Sequence, residues 1–179
     1  MNAIVIYKSK TGYTKKYAEW LAKDLSADIF EASKVNLDNL RAYDTVVFGG
    51  SLHAIGISGI KVIKDNFAQL RDKKIIVFAT GASLPKEKVI TEVTNRNFTP
   101  EQQKNIRFFY LRGGFDYSRL PFFDKVLMLL LKKSIMNKKK KGKELSSDEA
   151  GMLAIYDQPV DYTREENIAE IIDYVRSIT

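Results

Sequence analysis

Cysteine is absent from the 179 residues, and histidine occurs once. Without cysteine there is no disulfide, no thiolate nucleophile and no Cys-ligated metal or iron–sulfur cluster. The single histidine, His53, also excludes a multi-His metal site and a His-rich proton relay, so no metal is expected. Any redox work must then be done by a bound organic cofactor. No apolar run approaches the ~20 residues that span a bilayer. Lys8 and Lys10 interrupt the first apolar stretch, so it does not read as a signal peptide and a cytoplasmic location is the expectation.

A chain of 179 residues reads as a single domain, 1–179, able to bury roughly 70% of the surface its unfolded form exposes. Lys and Arg number 29 against 22 Asp and Glu, a net charge of +7. Solubility alone explains most such charges, so the distribution is more informative than the sum.

In chain order, Asn2 to Lys8 carries a run of Ala, Ile, Val and Tyr that predicts a strand buried on both faces. Ala18, Leu21, Ala22 and Leu25 fall at helical spacing. Asp28 to Ala32 is a weaker strand, Leu37 to Leu40 a turn, and Thr45 to Phe48 a firm strand closed by Gly49 and Gly50. Ser58 is placed to cap a helix with Ile60, Ile63, Phe67 and Leu70 on one side. Lys74 to Thr80 is the best strand, ending at Gly81, and Pro85 suits the first turn of the helix that follows. Thr99 to Gln102 reads as a capping box, and Ile106 to Leu111 as a fifth strand. Thr163 with Glu166 reads as a second box, opening a helix with Ile168, Ile171, Ile172, Val175 and Ile178. Strands alternating with helices imply α/β architecture, parallel strands and right-handed crossovers.

The first strand runs into Ser9, Lys10, Thr11, Gly12, Tyr13 and Thr14, at which a helix begins. Orphan N–H groups, the positive helix end and three hydroxyls then share one small volume, which suits a phosphate. An ordinary strand-to-helix turn is the bland alternative. The six residues match Ser/Thr-x-Thr-Gly-x-Thr, which resembles the FMN phosphate loop of the flavodoxin family. That resemblance implies a doubly wound five-stranded parallel sheet of order 2-1-3-4-5, with ligands beyond the carboxyl ends of the strands. It further implies that the flavin ring lies against Ser51, Leu52, His53 and Ala54, with Thr80, Gly81, Ala82 and Ser83 at its pyrimidine edge. Flavodoxin carriers usually stack aromatic side chains on the ring, whereas Leu52 and His53 are the nearest candidates here. The ring face would be open to a substrate. His53 is either a donor to flavin or substrate or an uninvolved loop residue, and no other catalytic group suggests itself.

After the fifth strand, residues 118–160 form an insertion: an apolar helix from Leu120, then a loop containing Lys138 to Lys141 and Lys143. On a helical wheel Phe122, Phe123, Val126, Leu127 and Leu130 share one face, while Met128 and Leu131 fall among Asp124, Lys125 and Lys132. Such a segment can lie in the interface of an anionic membrane, with each lysine near the surface contributing about 1 kcal/mol. Alternatively it packs within the domain or against a second copy, leaving the lysines as a solvated loop. The lysine run lacks interleaved aromatics, so no specific nucleic-acid partner is expected.

Gly113, Gly114, Phe115, Asp116, Tyr117, then Phe122 to Lys125 with its Met/Leu-rich continuation, and Tyr162 with Thr163, resemble the menaquinone-dependent protoporphyrinogen dehydrogenase family. The resemblance implies an FMN enzyme that oxidises protoporphyrinogen IX, reduces a quinone, sits at the inner face of the cell membrane, and meets substrate near Phe115 and Tyr117. The alternative function is a flavodoxin-type electron carrier serving a protein partner.

Overall fold

The apolar runs become the strands of one sheet in the computed structural model, which describes residues 2–178. The strands are β1 (Ala3–Lys8), β2 (Asp28–Glu31), β3 (Thr45–His53), β4 (Gly56–Ile57), β5 (Lys74–Gly81) and β6 (Ile106–Arg112). Five pair in parallel in the order β2-β1-β3-β5-β6, while β4 folds back antiparallel on the end of β3. Counting the long strands alone, this is the expected 2-1-3-4-5 order.

Helices cover both faces, because alternate side chains of a strand point to opposite sides. Ile4 and Ile6 of β1 join Phe48, Val77, Leu40, Ile63 and Val93 in one cluster. On that face lie α2 (Leu37–Arg41), α3 (Lys61–Lys64) and α4 (Glu87–Asn97). Val5, Val47, Ile76 and Phe78 form the other cluster, with Tyr17 and Leu21 of α1 (Tyr13–Leu25) and with Ile171 and Val175 near the C-terminus. Between α4 and β6, α5 (Pro100–Asn105) begins with the expected capping box at Thr99 and Gln102.

Several sequence expectations are corrected. Gly49 and Gly50 do not close the third strand, which continues to His53. They are glycines for want of room: a β-carbon on Gly49 would fall on the Phe78 ring, and one on Gly50 would lie 2.5 Å from Ile57 Cγ2. Ser58 caps no helix, since its N–H donates to Ser51 O at 2.9 Å and Gly59 then takes φ +78, delaying the helix to Lys61. Pro85 precedes α4 rather than joining its first turn, the N-cap being Lys86. Thr163 and Glu166 do not form a box: the Thr163 N–H and hydroxyl both donate to Asp161 Oδ1, at 2.8 and 2.6 Å. The chain enters its last helix instead through a 3-10 turn at Glu165–Ile168.

The insertion differs most. Gly114–Phe115 forms β7, and the next helix, α6, spans Phe122–Lys140, so Lys138, Lys139 and Lys140 are its last turn and not a loop. Cations there complement the negative end of the helix dipole. A further helix, α7 (Ser147–Tyr156), starts at a capping box between Ser146 and Glu149. Then β8 (Val160–Asp161) pairs with β7, and α8 (Ala169–Ser177) closes the chain.

Helix α6 is inverted relative to an ordinary amphipathic helix. Its inward stripe is Asp124, Met128, Lys132, Ile135 and Lys138, of which only Ile135 is fully buried. Three of the five are held by ion pairs: Lys10–Asp124 at 2.6 Å, Lys132–Asp157 at 2.7 Å and Lys138–Glu149 at 2.7 Å. Phe122, Phe123, Val126, Leu127, Leu129, Leu130, Leu131 and Met136 are all exposed. Leu131 thus joins the outward face, and Met128 points in. No described helix is long and apolar enough to cross a membrane.

Candidate functional site

Strand β1 delivers the chain to the start of α1, where Gly12 is the N-cap in the left-handed region at φ +97. That conformation favours glycine, and the space beyond its α-carbon is empty for 4 Å. The helix start has no side-chain cap and no acidic residue in its first turn. Its orphan N–H groups and positive dipole end are therefore left for an external anion. Ser9 Oγ accepts from Gly12 N–H at 3.1 Å and shapes the loop, keeping its own proton to donate.

Thr14 and Thr80 are both buried, with their hydroxyl oxygens 2.7 Å apart. Two hydroxyls carry two protons and this bond uses one, so the accepting partner retains a donor at the junction of α1 and β5. The Tyr13 ring turns away from the loop toward Gly113 and Gly114, leaving its backbone at the helix start. Burial, and then the charge of Asp116, hold its phenol above the ordinary value.

Beyond β5, Gly81 O accepts from Gly113 N–H at 2.8 Å, Ala82 O from Arg112 Nε at 3.3 Å and Ser83 O from Tyr110 OH at 3.0 Å. All three carbonyls face β6. A trans peptide directs its N–H opposite its C=O, so the N–H groups of Ala82, Ser83 and Leu84 point the other way. They form a short row of donors suited to a carbonyl-rich heterocycle.

Between these loops, Ser51, Leu52 and His53 form the end of β3, and Ala54 turns the chain at φ +54 into β4. The hairpin is fixed by Asn97 of α4, whose Oδ1 accepts from Ile57 N–H at 2.9 Å and whose Nδ2 donates to Ile55 O at 2.7 Å. His53 Nε2 lies 3.3 Å from Asp124 Oδ1, while Lys10 Nζ takes the other oxygen. Those contacts, the Lys10 hydrogen bond foremost, hold the Asp124 carboxyl below its ordinary range. One carboxylate from the insertion thus ties the first loop to the second.

Phe115 and Tyr117 stand at the root of the insertion. The Tyr156 ring lies 4.9 Å from that of Tyr117 and 6.3 Å from that of Phe115, under the Lys132 ammonium at 4.0 Å. Burial, and then its Tyr117 neighbour, push the Tyr156 phenol up to about 12. Asn97, Asp124 and Arg112 escaped the sequence reading, because each acts across a long separation and no local spacing marks it.

An uncapped helix start at the carboxyl edge of a doubly wound parallel sheet, with a row of backbone donors two strands away, suits a nucleotide-type cofactor. The chain belongs to the flavodoxin domain family, which residues 4–144 match. Among solved structures it is similar to a flavodoxin from the domain Archaea, at 20% identity over 66% of this chain and 89% of that one, with a TM-score of 0.44. It is also similar to a flavodoxin, WrbA-like protein from Agrobacterium tumefaciens, at 20% identity over 62% and 83% with a TM-score of 0.43. A flavoprotein in complex with FMN from Lactobacillus acidophilus shares 17% identity over 62% and 91% with a TM-score of 0.40. No curated protein matches the chain.

Proposed function

We propose that this chain is an FMN-dependent oxidoreductase that draws electrons from an apolar, membrane-delivered donor, of the protoporphyrinogen kind, and passes them to a quinone. The cofactor is FMN. Its phosphate would be held by Ser9, Thr11 and the first-turn N–H groups of α1, and its ring by the 51–54 and 80–83 segments. Bound FMN supplies the two-electron chemistry, and the protein positions it and tunes its potential.

The observation that carries the enzyme reading is the inverted helix α6. All its apolar side chains but Met128 and Ile135 face outward, and its first turn is joined through Asp124 to Lys10 and His53 of the cofactor loops. An apolar surface joined to a redox site suits reactants that dissolve in lipid better than in water. The lysines at its far end favour an anionic membrane surface, peripheral and not spanning. The same apolar face also suits a protein partner, which is the electron-carrier reading.

Anaerobic titration of the FMN-loaded protein, followed by visible absorbance, decides between them. Bleaching by protoporphyrinogen with recovery on adding a menaquinone analogue is the expected result. A half-reduced absorbance indifferent to both reagents would establish the carrier. Failure to bind FMN would overturn both, whereas unchanged FMN affinity in a Thr11→Val, Gly12→Val double variant would overturn the assignment of the Ser9 to Thr14 loop to the phosphate.

A further inference from the structure

We infer that the cleft between the 82–86 loop and α7 is a second ligand site, for an apolar organic carboxylate of one or two rings. The cleft measures about 350 Å³, within the range of small-molecule sites. Leu84 on one wall and Met152 and Ile155 of α7 on the other make it mainly apolar. Lys86 and Arg112 also line it, and neither has a carboxylate partner among the described residues.

Arg112 is held in place before any ligand arrives. Its Nε donates to Ala82 O at 3.3 Å, and its guanidinium lies 3.5 Å from the centre of the Tyr162 ring. Those contacts leave the two terminal nitrogens for a carboxylate, which a guanidinium meets in bidentate geometry. Arg112 ends β6, at the carboxyl edge of the sheet where doubly wound folds bind ligands. The 82–83 peptides thus serve two sites, with their carbonyls and Arg112 on the cleft side and their N–H groups on the other. That the cleft ligand exchanges electrons with the cofactor rests on the flavoprotein reading; the binding site itself does not.

The chain has four methionines, which makes methyl NMR selective: Met152 reports the cleft, and Met128 and Met136 report α6. The probe is 2-naphthoate, titrated into [methyl-13C]methionine protein with and without FMN, with FMN binding followed separately by flavin fluorescence. A saturable shift at Met152, without one at Met128 or Met136, is the expected result. The uncharged 2-naphthalenemethanol should bind about tenfold more weakly, as should 2-naphthoate to Arg112→Gln. Because Arg112 also braces Ala82, a second pair is used: the Gly151 α-carbon faces open space on α7, so Gly151→Glu and Gly151→Gln fit without strain. The Glu variant should bind naphthoate about tenfold more weakly than the Gln variant. Acid and alcohol binding alike, or shifts confined to α6, would overturn the site. A Met152 response in protein that binds no FMN would keep the site and remove its redox role.

Discussion

Lys10 and Asp124, 114 residues apart in sequence, meet at 2.6 Å, and through them the insertion is fastened to the loop that opens the first helix. The Asp124 side chain is 14% exposed and that of Lys10 37%, so the pair is neither buried nor fully solvated. Pairs of this kind contribute at most about 1 kcal/mol. Its value lies in position: the same carboxylate reaches His53, so loosening it frees the root of α6 from both loops.

Asp124→Asn should therefore lower global stability by less than about 1 kcal/mol while raising tryptic cleavage after Lys125 several-fold. The contribution has a definite pH dependence. The folded-state pKa of Asp124 lies below its ordinary value, so the stabilisation is present in full above about pH 4 and fades as pH falls through the lower folded value. Urea midpoints of wild type and variant should differ at pH 7 and converge toward pH 2. Equal cleavage rates at pH 7 would show that the pair does not anchor the helix.

The Thr14–Thr80 pair gives a sharper test. Replacing one partner by valine leaves the other hydroxyl buried without its bond, at a cost of about 1–3 kcal/mol. Replacing both removes the need for the bond. Thr14→Val and Thr80→Val should each destabilise, and the double variant should lose less than their sum, measured by urea unfolding as a double-mutant cycle. Strict additivity would mean that the hydroxyls do not depend on one another.

Gly49 and Gly151 should respond oppositely to alanine. A methyl group on Gly49 falls on the Phe78 ring in the buried centre of the sheet, so Gly49→Ala should cost about 1–3 kcal/mol by overpacking. Gly151 lies inside α7 with open space around it, and Gly151→Ala should gain about 0.5–1 kcal/mol. Adding Phe78→Leu should recover part of the Gly49→Ala loss. Thermal midpoints falling for Gly151→Ala would contradict this account of α7.

How much of this was legible in the sequence divides along a physical line. The long strands announced themselves because, as with Val46 to Phe48 and Ile75 to Ala79, strands buried on both faces need unbroken apolar runs. The strand-to-helix junction at Ser9 to Thr14 was legible because its residues are contiguous. Gly49 and Gly50 misled because glycine serves close packing as readily as turning, and only the neighbouring Phe78 and Ile57 distinguish the two. Thr163 misled for a similar reason: its hydroxyl donates to the nearby Asp161 carboxylate, and its oxygen accepts from no described helix N–H. The bridge at Asp124, the Asn97 clamp and the Arg112 stack all join distant segments, and local spacing carries no trace of them.

The outward face of α6 bears the most consequential prediction. Leu127 and Leu130 are 53% and 58% exposed, one turn apart, so replacing them removes no core packing. Leu127→Glu with Leu130→Glu should change stability by no more than about 0.5 kcal/mol per site. Burying a leucine in an apolar phase contributes about 1.5–3 kcal/mol, so the double variant should lose at least a hundredfold in partitioning onto vesicles containing anionic lipid, read by sedimentation. Replacing Lys138, Lys139 and Lys140 with glutamine should weaken the same partitioning and flatten its salt dependence, because the lysine contribution is screened and the leucine contribution is not. If the leucine variant partitions as wild type does, and instead abolishes a concentration-dependent dimer in analytical ultracentrifugation, the face belongs to a second copy of the chain. If neither property changes, the apolar face is reserved for a smaller reactant, and the fastening of α6 to Lys10 and His53 becomes the feature that explains why it is kept exposed.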